Sequence, residues 1–284
     1  MSIVVVHNQA LDPAHSPNPS ALQSIESVLG VALEDRGLYY RAQIPQSLDQ
    51  TVLQKFRSEL GVDINDIPET LDIRLLISDM DSTLISIECV DEIADFAGKK
   101  AQVAAVTEAA MRGELDFNAS LQQRVAALKD LSVDVLQQVY ERRLRLNPGA
   151  RELVAGMKAN RAKVALVSGG FTFFTARIRE ELDLDYVLAN ELDISDGKLS
   201  GQVSGEIVNA EVKARFLKQI CIEERISTQQ AIAVGDGAND LKMMQEAALG
   251  VAYHAKPTVQ QQANVVLNYH GLDAILHLIQ ASKS

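Results

Sequence analysis

The sequence predicts an α/β protein: a doubly wound parallel sheet, a helical cap inserted after its first strand, and a small N-terminal α/β unit in front. Three observations predict it. From residue 73 onward, apolar runs without polar alternation recur at Leu75-Leu76-Ile77, Val164-Ala165-Leu166-Val167 and Ala231-Ile232-Ala233-Val234, as in strands covered on both faces. Helical periodicity lies between them, at Phe173 to Leu182 and Val212 to Ile220. Each run ends in polar or glycine-rich residues, which suits a ligand site at the carboxyl edge of such a sheet.

The elements follow in order. Ile3-Val4-Val5-Val6 reads as a short buried strand, and Leu22, Ile25, Leu29 and Leu33 recur at helical spacing. Leu38-Tyr39-Tyr40 suggests a second strand. Leu48, Val52, Leu53, Phe56 and Leu60 mark a second helix that Gly61 can end. The stretch from Asp63 to Leu71 is polar, contains Pro68 and lacks a period, so it reads as a linker. The expected division is therefore a small unit over residues 1–70 and a core over 71–284. Within the core, residues from about 87 to 146 read as helical throughout. Ile87, Val90, Ile93, Ala94 and Ala97 share one face, stopped by Gly98, while Leu121, Val125 and Leu128 share another. Placed directly after the first core strand, this insertion reads as a cap over the end of the sheet. Val251 and Val265-Val266-Leu267 open the later strands.

Composition narrows the function. The chain has 284 residues, 47% of them hydrophobic, with a formal net charge of -11. That length and apolar content support a sizeable core. The acidity excludes general nucleic-acid binding, which needs Lys and Arg to replace phosphate counterions. It also disfavours an anionic membrane surface, so neither partner is expected. No apolar run approaches the roughly 20 residues of a membrane span. The first Lys or Arg is Arg36, so no basic leader region is expected. Cys89 and Cys221 are too few for a disulfide framework. A cytoplasmic enzyme is the expectation.

The chemistry sits at the strand ends. The first ends in Asp79-Met80-Asp81-Ser82-Thr83, the second in Ser168-Gly169-Gly170, the third in Gly235-Asp236-Gly237-Ala238-Asn239-Asp240. Lys213 lies on a helical stretch before the third. Asp79, Asp81, Asp236 and Asp240 would crowd one small space. Two carboxylates about 4 Å apart repel by roughly 4 kcal/mol at an effective dielectric of about 20. Such a cluster calls for a cation, and an all-oxygen donor set suits Mg²⁺. Lys213, the Ser168 hydroxyl and the Gly169 amide could hold phosphoryl oxygens. Asp79 could attack phosphorus, with Asp81 protonating the leaving alkoxide and then deprotonating the hydrolytic water. A lone Asp-x-Asp pair is usually a solvated turn. Three such clusters and a lysine, in this order, carry the catalytic reading.

At these residues the chain resembles the haloacid dehalogenase superfamily of aspartate-nucleophile phosphohydrolases, and within it the branch that acts on O-phosphoserine. Residues 73 to about 270 carry the resemblance, including Glu88 and the run Ser120-Leu121-Gln122-Gln123-Arg124-Val125. The resemblance implies hydrolysis of O-phosphoserine to serine and phosphate, the last step of serine biosynthesis, through an aspartyl-phosphate. It implies Asp79 as nucleophile and Mg²⁺ ligand, and Asp81 as acid/base and ligand through its backbone carbonyl. Asp236 becomes the third protein ligand. Asn239, on the substrate side, and Asp240 support the site, while Ser168, Gly169 and Lys213 hold phosphate. Glu88 would pair with the substrate ammonium and Arg124 with its carboxylate, with Met111 and Phe117 closing the pocket from the cap.

Arg124 follows Leu121 by three and precedes Leu128 by four, so it sits at the edge of an apolar helix face. Alone, it reads rather as an arginine snorkelling from a packed face, and Glu88 as a surface helix charge; together, over a phosphate site, they offer opposite charges to a zwitterionic head group. Some relatives carry an N-terminal module similar to ACT domains, which implies amino-acid binding or a homodimer, although residues 1–70 are short for a complete one. His254 and His270 fall outside every cluster. Transfer to an acceptor such as homoserine, hydrolysis of another small phosphometabolite, and a non-enzymatic phospholigand-binding regulator stay open as alternatives.

Overall fold

The structure, a computed structural model, describes residues 1–111 and 114–283. The N-terminal unit runs β1 (Ser2–His7), α1 (Pro19–Leu29), β2 (Glu34–Asp35), β3 (Tyr39–Ile44), α2 (Gln50–Leu60) and β4 (Ile64–Pro68). Its strands form an antiparallel sheet in the order β2-β3-β1-β4. Gly30 and Gly61 end the two helices in left-handed conformations at φ 68 and 65, which glycine adopts without a Cβ penalty.

Two readings change here. Residues 64–68 are a strand paired with β1, not part of a linker. Asp63 and Asn65 made the stretch look polar, but both are buried and spend their hydrogen bonds on the core: Asn65 Oδ1 accepts from the Val266 amide at 2.8 Å. The six elements also complete a βαββαβ unit, which is short because β2 has two residues.

Strand β1 is buried along its whole length because its two faces have different partners. Val4 and Val6 join the cluster with Ile25, Leu53 and Phe56 of the unit's own helices. Ile3 and Val5, pointing the other way, join the main core.

That core holds β5 (Leu75–Ser78), β6 (Lys163–Phe171), β7 (Tyr186–Ser195), β8 (Lys198–Ser204), β9 (Ala231–Gly235), β10 (Leu249–Tyr253) and β11 (Val265–Leu267). The order is β11-β10-β9-β5-β6-β7-β8. Every neighbouring pair is parallel except β7 and β8. The antiparallel β8 was not anticipated, although Asp196-Gly197 at its turn is a hairpin signal and both residues have positive φ, 51 and 73.

The cap consists of α3 (Cys89–Phe96), α4 (Lys100–Met111), α5 (Phe117–Ala127) and α6 (Asp134–Arg142). Helices α7 (Ala150–Ala159), α8 (Thr172–Leu182), α9 (Ala210–Glu224), α10 (Leu241–Glu246), α11 (Pro257–Gln260) and α12 (Ala274–Ala281) complete the chain. Alternate residues of the buried strands serve opposite layers. Leu76, Leu166 and Val234 pack with residues of α7, α8, α12 and the cap, whereas Leu75, Ile77 and Ala233 pack with residues of α9 and α10. The sheet is doubly wound, as expected.

His270 finds its place at the seam between the two sheets. Asp63, fully buried, accepts from the amides of Asn268 and Tyr269 at 2.8 and 2.9 Å and from His270 Nδ1 at 2.8 Å. His270 Nε2 lies 3.0 Å from the Asn8 carbonyl, so both ring nitrogens face acceptors. Burial holds the neighbouring His7 well below its ordinary value, with the charges of His270 and His277 adding to this. Arg41 Nε donates to the Ala281 carbonyl at the end of α12 at 2.9 Å, where a cation also suits the helix dipole.

Candidate active site

Strand β5 lies between β6 and β9, the point where chain order reverses on the two sides of a doubly wound sheet. Asp79 follows it directly, its amide donating to the Val234 carbonyl of β9 at 2.9 Å. Fully buried Lys213, from α9, places Nζ 2.7 Å from Asp79 Oδ1 and 2.7 Å from Asp240 Oδ1. The other Asp240 oxygen accepts from the Gly237 amide at 3.1 Å. The close packing of Asp240 against Gly235 leaves no room there for a Cβ.

Asp81 Oδ1 accepts from the Cys89 amide at 2.8 Å, and Oδ2 accepts from Ser168 Oγ at 3.1 Å. Ser168 Oγ is fixed in turn by the Gly170 amide at 2.7 Å. A Cβ on Gly170 would stand 2.5 Å from Asp81 Oδ2, which explains the second glycine of the pair. The parallel register of β6 and β7 shifts between Val167 and Phe171, so Ser168-Gly169-Gly170 lies in an irregularity of the strand that re-aims its residues. Asn190 of β7, which no sequence signal marked, steadies it by donating to the Gly169 carbonyl at 2.8 Å and accepting from the Val208 amide at 2.9 Å. Thr83 Oγ1 donates to Asp236 Oδ1 at 3.1 Å.

Among the described residues, Asp79, Asp236 and Asp240 present carboxylate oxygens that all lie within 4.8 Å of one another. Burial pushes Asp79 well above its ordinary value, with Asp240 adding to the rise and Lys213 opposing it. Burial also raises Asp236, to about 6, again with help from Asp240. Burial alone would lower Lys213, but Asp240 and Asp79 outweigh it and hold the ammonium above its ordinary range. One lysine against three carboxylates leaves an excess of negative charge in an all-oxygen donor set, and a Mg²⁺ ion fits that imbalance. Asp240 stands in this group, whereas the Asp81 carboxylate is engaged by Cys89 and Ser168. Burial raises Asp81 too, against the hydrogen bonds from Cys89 and Ser168. A raised carboxyl suits a group that must donate a proton.

The cap reaches this centre through α5. A Cβ on Gly169 would lie 2.8 Å from Phe117 Cζ, so the ring closes on the Ser168-Gly169-Gly170 segment. Asn209, the N-cap of α9, donates to Asn118 Oδ1 at 3.2 Å. Arg124 is two helical turns beyond Phe117 and shares its face. Its Nε is buried and has no hydrogen-bond partner among the described residues. Glu88, at the start of α3, accepts from Ser82 Oγ at 2.6 Å. Desolvation in the cleft pushes Glu88 up to about 7, with the Asp81 charge adding to it and the Ser82 bond opposing. Glu88 remains open to solvent along the cleft, which screens part of that effect. Asn239 lies over Gly237 beside Asp240. Met111 ends α4, and its side chain lies outside the described residues.

These residues and this fold define an aspartate-centred hydrolase. A family model described as haloacid dehalogenase-like hydrolase matches residues 76–245, and the chain belongs to that family. A phosphoserine phosphatase from a Polaromonas species is 58% identical over 214 residues, 74% of this chain and 91% of that protein. The crystal structure of a probable phosphoserine phosphatase from Vibrio cholerae superposes with a TM-score of 0.82 at 39% identity, covering 99% of this chain and 87% of that one. A structure described as a phospho-aspartyl intermediate analogue of phosphoserine phosphatase superposes with a TM-score of 0.69 at 39% identity, covering 73% of this chain and 99% of that one.

Proposed function

We propose that this chain hydrolyses O-phosphoserine to serine and phosphate through an aspartyl-phosphate on Asp79. The match to phosphoserine phosphatases over most of the chain supports the substrate. The observation that carries the residue roles is the buried Arg124 Nε, without a hydrogen-bond partner among the described residues, on the cap helix whose Phe117 touches the proposed phosphate loop. An unsatisfied buried donor calls for a partner, and a substrate carboxylate supplies one. Glu88 supplies the opposite charge for the ammonium.

In the first half-reaction an Asp79 oxygen forms a bond to phosphorus as the ester P–O bond breaks. The departing serine oxygen takes the Asp81 proton. In the second, Asp81 takes a proton from water, the water oxygen bonds to phosphorus, and the Asp79 acyl-phosphate bond breaks. Lys213, Ser168 Oγ and the Gly169 amide hold the equatorial oxygens. Asp79, Asp236 and the Asp81 backbone carbonyl would hold Mg²⁺, beside Asp240 and Asn239, and the ion would offset the carboxylate charge against an incoming phosphate dianion.

Among the described residues no helix is long and apolar enough to cross a membrane. The two free, buried cysteines suit a reducing cytoplasm, the compartment we propose. We also propose a homodimer through residues 1–70, a second domain beside the 71–284 core. Strand β1 lends one face to that core, so a second copy would meet the helical face or the β2 edge. The deciding assay is phosphate release from a panel of phosphomonoesters. Asp79→Asn should abolish turnover in a folded protein, and EDTA should remove activity that Mg²⁺ restores and Ca²⁺ restores poorly. Release at the parent rate by Asp79→Asn would sink the covalent step, and full activity after exhaustive chelation would sink the metal assignment.

A further inference from the structure

We propose that Ser82 is a positioning residue for recognition of the substrate ammonium, its hydroxyl holding the Glu88 carboxylate in a receptive orientation. The inference rests on the reading of Glu88 as the ammonium's partner.

Ser82 follows the acid/base Asp81 and has φ 55, in the left-handed region that few non-glycine residues occupy. A glycine would take that conformation more readily, so the side chain present there calls for a reason. Two hydrogen bonds supply it. The Ser82 amide donates to the Ile87 carbonyl at 3.1 Å, which closes the loop from residue 82 to 87. Its Oγ donates to Glu88 Oε1 at 2.6 Å.

Glu88 stands at the N-cap of α3 but makes no side-chain bond to the helix amides, so the helix itself does not orient its carboxylate. The Ser82 hydroxyl does so from the adjoining loop. It occupies one carboxylate oxygen and leaves Oε2 to receive an ammonium. Because Ser82 is next in sequence to Asp81, the same turn that presents the acid/base also sets the head-group contact. A hydrogen bond to the ionised carboxylate also favours the charged form that an ammonium needs.

The test compares O-phosphoserine with 3-phosphooxypropanoate, the same skeleton without the ammonium. Ser82→Gly accepts the backbone conformation and removes the hydroxyl, and Ser82→Ala removes the hydroxyl alone. Each is measured in the parent and in a Glu88→Gln background. In the parent, Ser82→Gly should lower the phosphoserine to phosphooxypropanoate ratio of kcat/KM about tenfold. The change should fall mainly on KM, without a lower Tm. In the Glu88→Gln background the same substitution should move the ratio by less than about twofold, because two groups acting as one unit are not additive. Equal losses for both substrates in both backgrounds would show that Ser82 only shapes the loop, and would overturn the proposal. If Glu88→Gln lowers the ratio while Ser82→Gly leaves it intact, the positioning role fails and the Glu88 reading stands. If Glu88→Gln itself leaves the ratio intact, the Glu88 reading fails and takes the proposal with it.

Discussion

Replacing Arg124 by methionine removes the guanidinium and keeps most of the aliphatic stem, so packing beside Leu121 and Leu128 should survive. Arg124 Nε is buried without a hydrogen-bond partner among the described residues. An unsatisfied buried donor costs about 1–3 kcal/mol, and the substitution relieves that cost. At about 2–4 °C per kcal/mol for a protein of this size class, Tm should hold or rise by a few degrees. Catalysis should move the other way. Losing one partner of a buried charge pair costs about 2–5 kcal/mol, which lowers kcat/KM for O-phosphoserine by roughly 30- to 5,000-fold. Phosphoethanolamine has the phosphate and the ammonium but no carboxylate, so it should lose far less. Thermal unfolding without ligand and phosphate release from both substrates provide the assay. A Tm several degrees lower, with equal losses on both substrates, would show that Arg124 serves the fold and would refute the argument.

Two further outcomes follow from the geometry. Glu88 is pushed up to about 7 from 4.5 and must be ionised to hold an ammonium. KM for O-phosphoserine should therefore rise as pH falls from about 8 to 6, more steeply than KM for 3-phosphooxypropanoate; parallel profiles would remove Glu88 from the head-group site. Because this folded value lies above the unfolded one, the group favours folding at low pH, and that contribution fades as pH rises from about 4.5 through about 7. At the seam, Asp63→Asn leaves one acceptor oxygen where three donors converge, and breaking such a buried pair costs about 3–5 kcal/mol. Calorimetry should show a Tm lower by roughly 6–20 °C, with kcat/KM for O-phosphoserine retained at temperatures where the protein is folded. An unchanged Tm would mean that the seam contributes little to stability.

Periodicity and turn chemistry alone determined much of this protein. The unbroken apolar runs at 75–77, 164–167 and 231–234 required strands covered on both faces, and they became β5, β6 and β9. With that order set, the polar residues closing each strand had to meet at one sheet edge, so Asp79, Ser168 and Asp236 were legible as a site before any coordinates. A linear pattern cannot report what lies across space. The strand at 64–68 was hidden because Asp63 and Asn65 are polar, and only the packed core shows where their hydrogen bonds go. His270 and Asn190 gave no signal for the same reason: their partners Asp63 and Val208 are distant in sequence or sit in an irregular loop. The spacing of Arg124 by itself favoured a snorkelling side chain over a ligand contact. Only the tertiary structure shows that its Nε is buried with no hydrogen-bond acceptor among the described residues, the observation on which the proposed ligand contact rests. Hydrophobic period is a property of the local chain, whereas a polar group's satisfaction depends on which distant atoms the fold brings to it.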